Sequence, residues 1–160
     1  MNPVRFFAAA LILTTAVPVA ADVSRSDISS LSRGAHRIVV ATVTRVDPVF
    51  QNNEFGDQLI VSRTQLRIHE VLKGAPVAGV AESVVMELEG GTIGDLTLTV
   101  SDLPILAPGE RAVIFMRQNA RGALVPHERG HGILKLDSSD HVRGTELPLS
   151  AIRRAVAAAR

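Results

Sequence analysis

The fold class this sequence predicts is a mainly β domain, closed or partly open as a small barrel, with a short helix in front and an amphipathic helix behind. Three observations carry that prediction. Seven or so extended segments follow one another with turn signals every 8 to 15 residues, the rhythm of barrels and sandwiches. Those segments are rich in Val, Ile, Leu and Thr, of which the β-branched ones fit a pleated surface best. Helical periodicity is confined to two stretches, residues 26–34 and 149–160. A two-sheet sandwich is the architectural alternative.

Residues 1–21 stand apart from that domain. Met1 to Arg5 is a short positive start, Phe6 to Val17 an apolar run, and Val19-Ala20-Ala21 supplies the small residues a signal peptidase reads. A run of roughly a dozen apolar residues is too short to span a bilayer. Cleavage before Asp22 is therefore expected, giving a protein exported to the periplasm or extracellular space with no stable membrane insertion. Residues 22–160 suffice for one hydrophobic core and read as a single domain.

Composition narrows the function classes. Hydrophobic residues make up 46% of the chain but aromatic ones only 3%, with neither Trp nor Tyr. The core is thus aliphatic, and stacking on bases or sugar rings has almost no side chains to use. With Arg5 set aside, Lys and Arg balance the 16 Asp and Glu, so no nucleic-acid partner is expected. Cysteine is absent, which leaves stability to the core and excludes thiol chemistry.

In chain order, residues 26–34 read as a short helix: Ser26 or Asp27 caps it, Ile28 and Leu31 share a face, and Gly34 is its stop. Residues 37–46 alternate Ile38, Val40, Thr42, Thr44 and Val46 against Val39, Ala41 and Val43. Both faces are apolar at first, as in a central strand. Asp47-Pro48 and the polar stretch 51–57 read as a loop. Residues 58–72 form the longest extended stretch, with Ile60, Thr64, Leu66 and Ile68 on a buried face against Gln58, Arg63, Gln65, Arg67 and His69 on a wet one. After Ile68 the pattern slips to Val71 and Leu72, which predicts a bulge or bend before Lys73-Gly74-Ala75-Pro76 ends the strand.

Residues 83–89 and 96–100 are two further strands, joined by the glycine-rich stretch 90–95 as a hairpin connection. Ala107-Pro108-Gly109-Glu110 is a tight turn, and the uninterrupted Ala112-Val113-Ile114-Phe115-Met116 after it is the most buried strand. Shorter extended pieces follow at 123–125 and 133–136. At the end Leu149, Ile152, Val156 and Ala159 recur at helical spacing, with Ser150 as cap and Arg160 suiting the negative end of the dipole.

Three stretches of this layout go further than periodicity. They are Ala35-His36-Arg37-Ile38-Val39-Val40-Ala41-Thr42-Val43, Leu66-Arg67-Ile68-His69-Glu70-Val71-Leu72-Lys73-Gly74 and Pro108-Gly109-Glu110-Arg111-Ala112-Val113-Ile114-Phe115. As first strand, end of the second and a late strand, they resemble secreted bacterial domains similar to the netrin-like and metalloproteinase-inhibitor-like (TIMP-like) OB barrels. The resemblance covers residues 26–137 and implies an OB-like barrel used for binding, not for catalysis. Animal inhibitors of this shape chelate a target's zinc through an amino-terminal cysteine. This chain has no cysteine, so that mechanism does not carry over.

One motif points to catalysis instead. His127-Glu128-Arg129-Gly130-His131 matches the HExxH of zinc peptidases, in which histidines at i and i+4 of a helix bind zinc and the glutamate polarises its water. Pro126 before it and Gly130 and Gly132 within it oppose the helix that geometry needs. In the extended motif the glycine falls on Leu134 and the third ligand on Asp137, with His141 and Glu146 as other candidates. A polar loop leading into residues 133–136 is the competing reading and the one adopted, so no catalytic, metal or cofactor residue is assigned. Residues 90–95 lack the Lys-Ser/Thr and helix of a phosphate cradle. His69 and Glu70 would face opposite ways in a regular strand, and no GxSxG supports a triad.

The outward row Arg63, Arg67 and His69, with Arg45 on the first strand and the loop 51–57, is the candidate partner-binding surface, because OB-like domains engage partners through a strand face and its flanking loops. Arg153, Arg154 and Arg160 could touch an anionic membrane, but a short Ala-rich helix better suits capping the barrel. The expected function is that of an exported, non-enzymatic binding domain whose partner is another exported protein. A small zinc metallopeptidase using His127, Glu128 and His131 is the first alternative, and a structural envelope component the second. The conformation of residues 118–136 separates enzyme from binder.

Overall fold

Two sixteen-residue strands, β1 (Arg37–Asn52) and β2 (Gln58–Lys73), pair antiparallel along their whole length. The computed structural model in which they are seen describes residues 25–53, 56–75 and 83–159; the leader and cleavage point read from residues 1–21 lie outside the described residues. Asp47-Pro48 does not end the first strand as expected, for Pro48 stands opposite Ser62 in the ladder. On its other side β1 meets a strand only over residues 37–42, so Pro48 lies on an edge, where a missing N–H is tolerated. The hairpin closes between Asn53, whose N–H donates to the Asp57 carbonyl, and Asp57, whose N–H donates to Asn53 Oδ1.

β3 (Ser83–Glu89) lies antiparallel on β2, and the fully buried run after the Pro108-Gly109 turn forms β6 (Arg111–Gln118) beside β1. β7 (Leu124–Pro126) pairs antiparallel with β6 and parallel with β3, through Met86 opposite Leu124. The order β1-β2-β3-β7-β6 then returns to β1, closing a ring of five strands. β8 (Ile133–Lys135) adds to β6.

Residues 90–95 do not join two strands of that sheet. Gly91–Ile93 is itself a strand, β4, which pairs with β5 (Leu96–Leu98) as a separate two-stranded hairpin. Gly90 at φ 104° and Gly91 at φ 137° turn the chain out of the sheet, in a region L side chains avoid. A Cβ on Gly91 would lie 2.7 Å from Ser62 Oγ and 3.1 Å from Pro48 Cβ, so the hairpin folds back closely over the β1–β2 ladder.

The bulge expected after Ile68 is present. Ala41 faces Ile68 and Val40 faces Glu70, so His69 is the inserted residue, and a second shift leaves out Leu72. An insertion inverts the alternation beyond it. Leu66 packs inside the ring, whereas past the bulge Leu72 joins the opposite, outer layer.

β1 and β6 read as apolar on both faces because both faces are covered. Inside the ring, Val39, Ala41 and Val43 meet Leu66, Met86, Ala112, Ile114 and Met116. Outside it, Ile38, Val40, Val113 and Phe115 meet Ile28 and Leu31 of α1 (Arg25–Gly34) and Leu149, Ile152 and Val156 of α2 (Leu149–Ala158). Each fully buried aliphatic side chain here contributes roughly 1.5–3 kcal/mol. Ser150 lies within α2 and does not cap it: Pro148, in extended backbone at φ −79°, holds the N-cap position without a side-chain bond. Arg160 lies outside the described residues. Among the described residues no helix is long and apolar enough to cross a membrane.

Candidate functional site

The HExxH segment is a turn. His127 N–H donates to the Phe115 carbonyl at 2.8 Å, prolonging the β6–β7 ladder by one residue, and Arg129–Gly132 is a single 3₁₀ turn. Glu128 at φ 54° and Arg129 at φ 53° are left-handed, a conformation that costs non-glycine residues about 1–3 kcal/mol each and persists only when its surroundings impose it. Here the surroundings are the Arg129 guanidinium, which bonds both carboxylate oxygens of Asp102 and lies 3.3 Å from Glu89 Oε2. The hydrogen bond from Arg129 is the main reason the Asp102 carboxyl titrates below its ordinary range. A Cβ on Gly130 would lie 2.0 Å from the Asp102 carbonyl, and one on Gly132 2.0 Å from the His127 carbonyl. The two glycines that oppose a helix are thus required by close backbone approaches.

The two histidines have different settings. The His127 ring, 15% exposed, packs over the end of α1, where a Cβ on Gly34 would lie 2.3 Å from its Nε2. Gly34 remains helical, so its part is to seat this ring as well as to end the helix. His127 Nδ1 is buried without a partner among the described residues, while His131 is exposed. Asp137 Oδ1 accepts the N–H groups of His141 and Ser139 at 2.9 and 2.8 Å; the His141 bond above all holds that carboxyl below its ordinary range. Glu146 is exposed. Among the described residues no three His, Asp or Glu side chains converge as a metal site. The i, i+4 helical placement that HExxH chemistry relies on is not formed.

The outer face of β2 carries the other candidates. Arg63, Gln65 and Arg67 stand in register with Glu87, Val85 and Ser83 of β3. Arg63 Nε is 4.0 Å from Glu87, which also holds Arg121 at 3.3 Å, and Arg45 Nε is 2.6 Å from Asp47. Arg67 is exposed and makes no ion pair with a described residue. Val85, 50% exposed, lies beside it. The bulge places both His69 and Glu70 on the outer side, against the opposite facing a regular strand gives: His69 Nε2 is 2.7 Å from Thr42 Oγ1, and Glu70 binds Arg153 of α2. They engage separate partners and form no acid–base pair.

Arg63, Arg67 and His69 therefore share one strip. Of the stretch 51–57, Gln51 lies at the end of β1 with its amide 3.4 Å from Glu87 Oε2, the side chain that Arg63 also approaches. Sequence reading missed Val85 and Arg129. Val84-Val85-Met86 has no alternation to show which residue faces out, and Arg129 was read only as a spacer in the motif. No protein-family model matches the chain, and no curated protein is significantly similar to it.

Proposed function

We propose that the chain is an exported, non-enzymatic binding domain of OB-like barrel type, engaging another exported protein through the outer face of β2 and β3. The observation that carries this reading is the strip itself: Arg67, which makes no ion pair with a described residue, near half-exposed Val85, flanked by Arg63, Gln65 and His69 and left uncovered by both helices. Arginine is among the residues enriched at interface hot spots, and an acidic partner surface would complement it. The strand order closing on β1, with a parallel β3–β7 pairing, supports the OB-like reading, a five-stranded Greek-key barrel whose second and third strands form the binding face. Export rests on residues 1–21, and the scarcity of aromatic side chains weighs against nucleic acid.

Cross-linking in the exported fraction tests this. Wild-type protein is expected to capture a defined partner, and Arg63→Ala with Arg67→Ala to reduce its recovery about tenfold or more, at roughly 1 kcal/mol or more per hot-spot residue. Equal recovery would move the contact off this face. One zinc per purified chain, with peptidase activity lost in Glu128→Ala, would replace the binding reading by the hydrolytic one.

A further inference from the structure

We propose that the mouth of the strand ring, beneath the β4–β5 hairpin, is a binding site for a small uncharged molecule, mainly aliphatic, that carries one hydrogen-bonding group. Ser62 and Thr64 from β2 and Val46 from β1 line this end of the ring with small side chains. The hairpin and residues 99–106 arch over that end and leave a cleft of about 240 Å³. Its walls include Val46, Pro48, Leu98, Val100, Leu103 and Leu106. The roof is tied down at two places, Asp102 by Arg129 and the Ile105 carbonyl by Lys135 Nζ at 2.6 Å. Ile105, 81% exposed, forms an apolar lip.

The polar groups define the ligand. Ser62 Oγ already donates to the Gly90 carbonyl at 2.7 Å, and Thr92 and Thr97 bond each other at 2.9 Å. Thr64 is fully buried, lines the cleft, and its Oγ1 has no partner among the described residues. A hydroxyl left so in an aliphatic wall costs about 1–3 kcal/mol, and an alcohol, amide or carbonyl entering the cleft would relieve it. Charge is disfavoured. Among the described residues Glu89 is the one ionisable group lining the cleft, and its carboxylate repels an anion while Arg129 already occupies it against a cation. At about 30 Å³ per water-sized group, the space holds roughly eight non-hydrogen atoms, the size of a six- or seven-carbon alcohol.

Titrating 1-hexanol into methyl-labelled protein, followed by NMR, tests the site. Saturable shifts are expected at the methyls of Val46, Val100, Leu103 and Leu106, with hexanoate at neutral pH binding at least about tenfold more weakly because its charge has no partner there. Thr64→Val keeps the shape and removes the orphan hydroxyl; it should fold and lose roughly three- to tenfold in hexanol affinity. Leu98→Trp, which fills the cleft, should abolish the shifts with the fold retained. Unmoved methyls would mean that water alone serves Thr64 and would overturn the proposal. So would hexanoate binding as well as hexanol, or Thr64→Val binding undiminished. None of these outcomes bears on the β2–β3 face.

Discussion

Gly34 and His127 form a contact that neither residue announces. The imidazole occupies the space a Cβ on Gly34 would need, and a ring only 15% exposed cannot swing away cheaply. Gly34→Ala is therefore expected to destabilise by about 1–3 kcal/mol, although alanine alone would gain about 1 kcal/mol in a helix. Adding His127→Ala should restore part of that loss. Urea midpoints at unchanged slope measure it, and losses that simply add would refute the contact. HExxH was visible as letters, and Pro126, Gly130 and Gly132 correctly opposed its helix. What those glycines do instead was not legible, because it depends on Asp102 and on the folded path of His127 itself. The strip Arg63, Arg67 and His69 was legible from strand alternation, whereas the partners that occupy Arg63 and Arg45 were not.

At the scale of elements, strands were read well where parity was clean. The slip after Ile68 gave away the bulge because two apolar residues in succession break a period of two. Asp47-Pro48 misled because proline signals a break unless one knows which edge is unpaired, and pairing is a property of the sheet. Gly90-Gly91 misled likewise, a kink out of one sheet resembling a turn within it. The Pro108-Gly109 turn held, and its Glu110 does more than turn. Only 15% exposed, Glu110 accepts from Lys135 Nζ and the Ala107 N–H, each at 2.9 Å, and from Arg143 Nη1 at 2.8 Å. Burial is the largest single influence and pushes its carboxyl up, but the bonds from Lys135, Ala107 and Arg143 together hold it below the ordinary range. A folded pKa below the unfolded value of about 4.3 means stabilisation present above that pH and lost as pH falls through the folded value. Glu110→Gln should thus be less stable than wild type at neutral pH, and the difference should shrink below about pH 4.3. Urea midpoints across pH measure it; a constant gap would show that the carboxylate's charge is not what matters.

For the whole molecule, the two cores lie on opposite faces of β1 and β6, so the layers have one wall in common. Ile152→Ala, in the outer layer, should cost about 2–5 kcal/mol and lower a single thermal transition in which calorimetric and van't Hoff enthalpies agree. Two transitions would show that the helices melt apart from the ring. The mainly β class was legible from the rhythm of strands and turns. A small barrel, closed or partly open, was the expectation; which of the two was not legible, because closure rests on β3 meeting β7 far along the chain. Four of the ring's five junctions run over three or more residue pairs, and the fifth is Met86 opposite Leu124 alone. The ring is in effect a curled sheet fastened by a clasp. Backbone bonds contribute little to that fastening, so the side chains that straddle it, Met86 and Leu124 within and the Arg121–Glu87 pair without, decide how tightly the hoop stays shut.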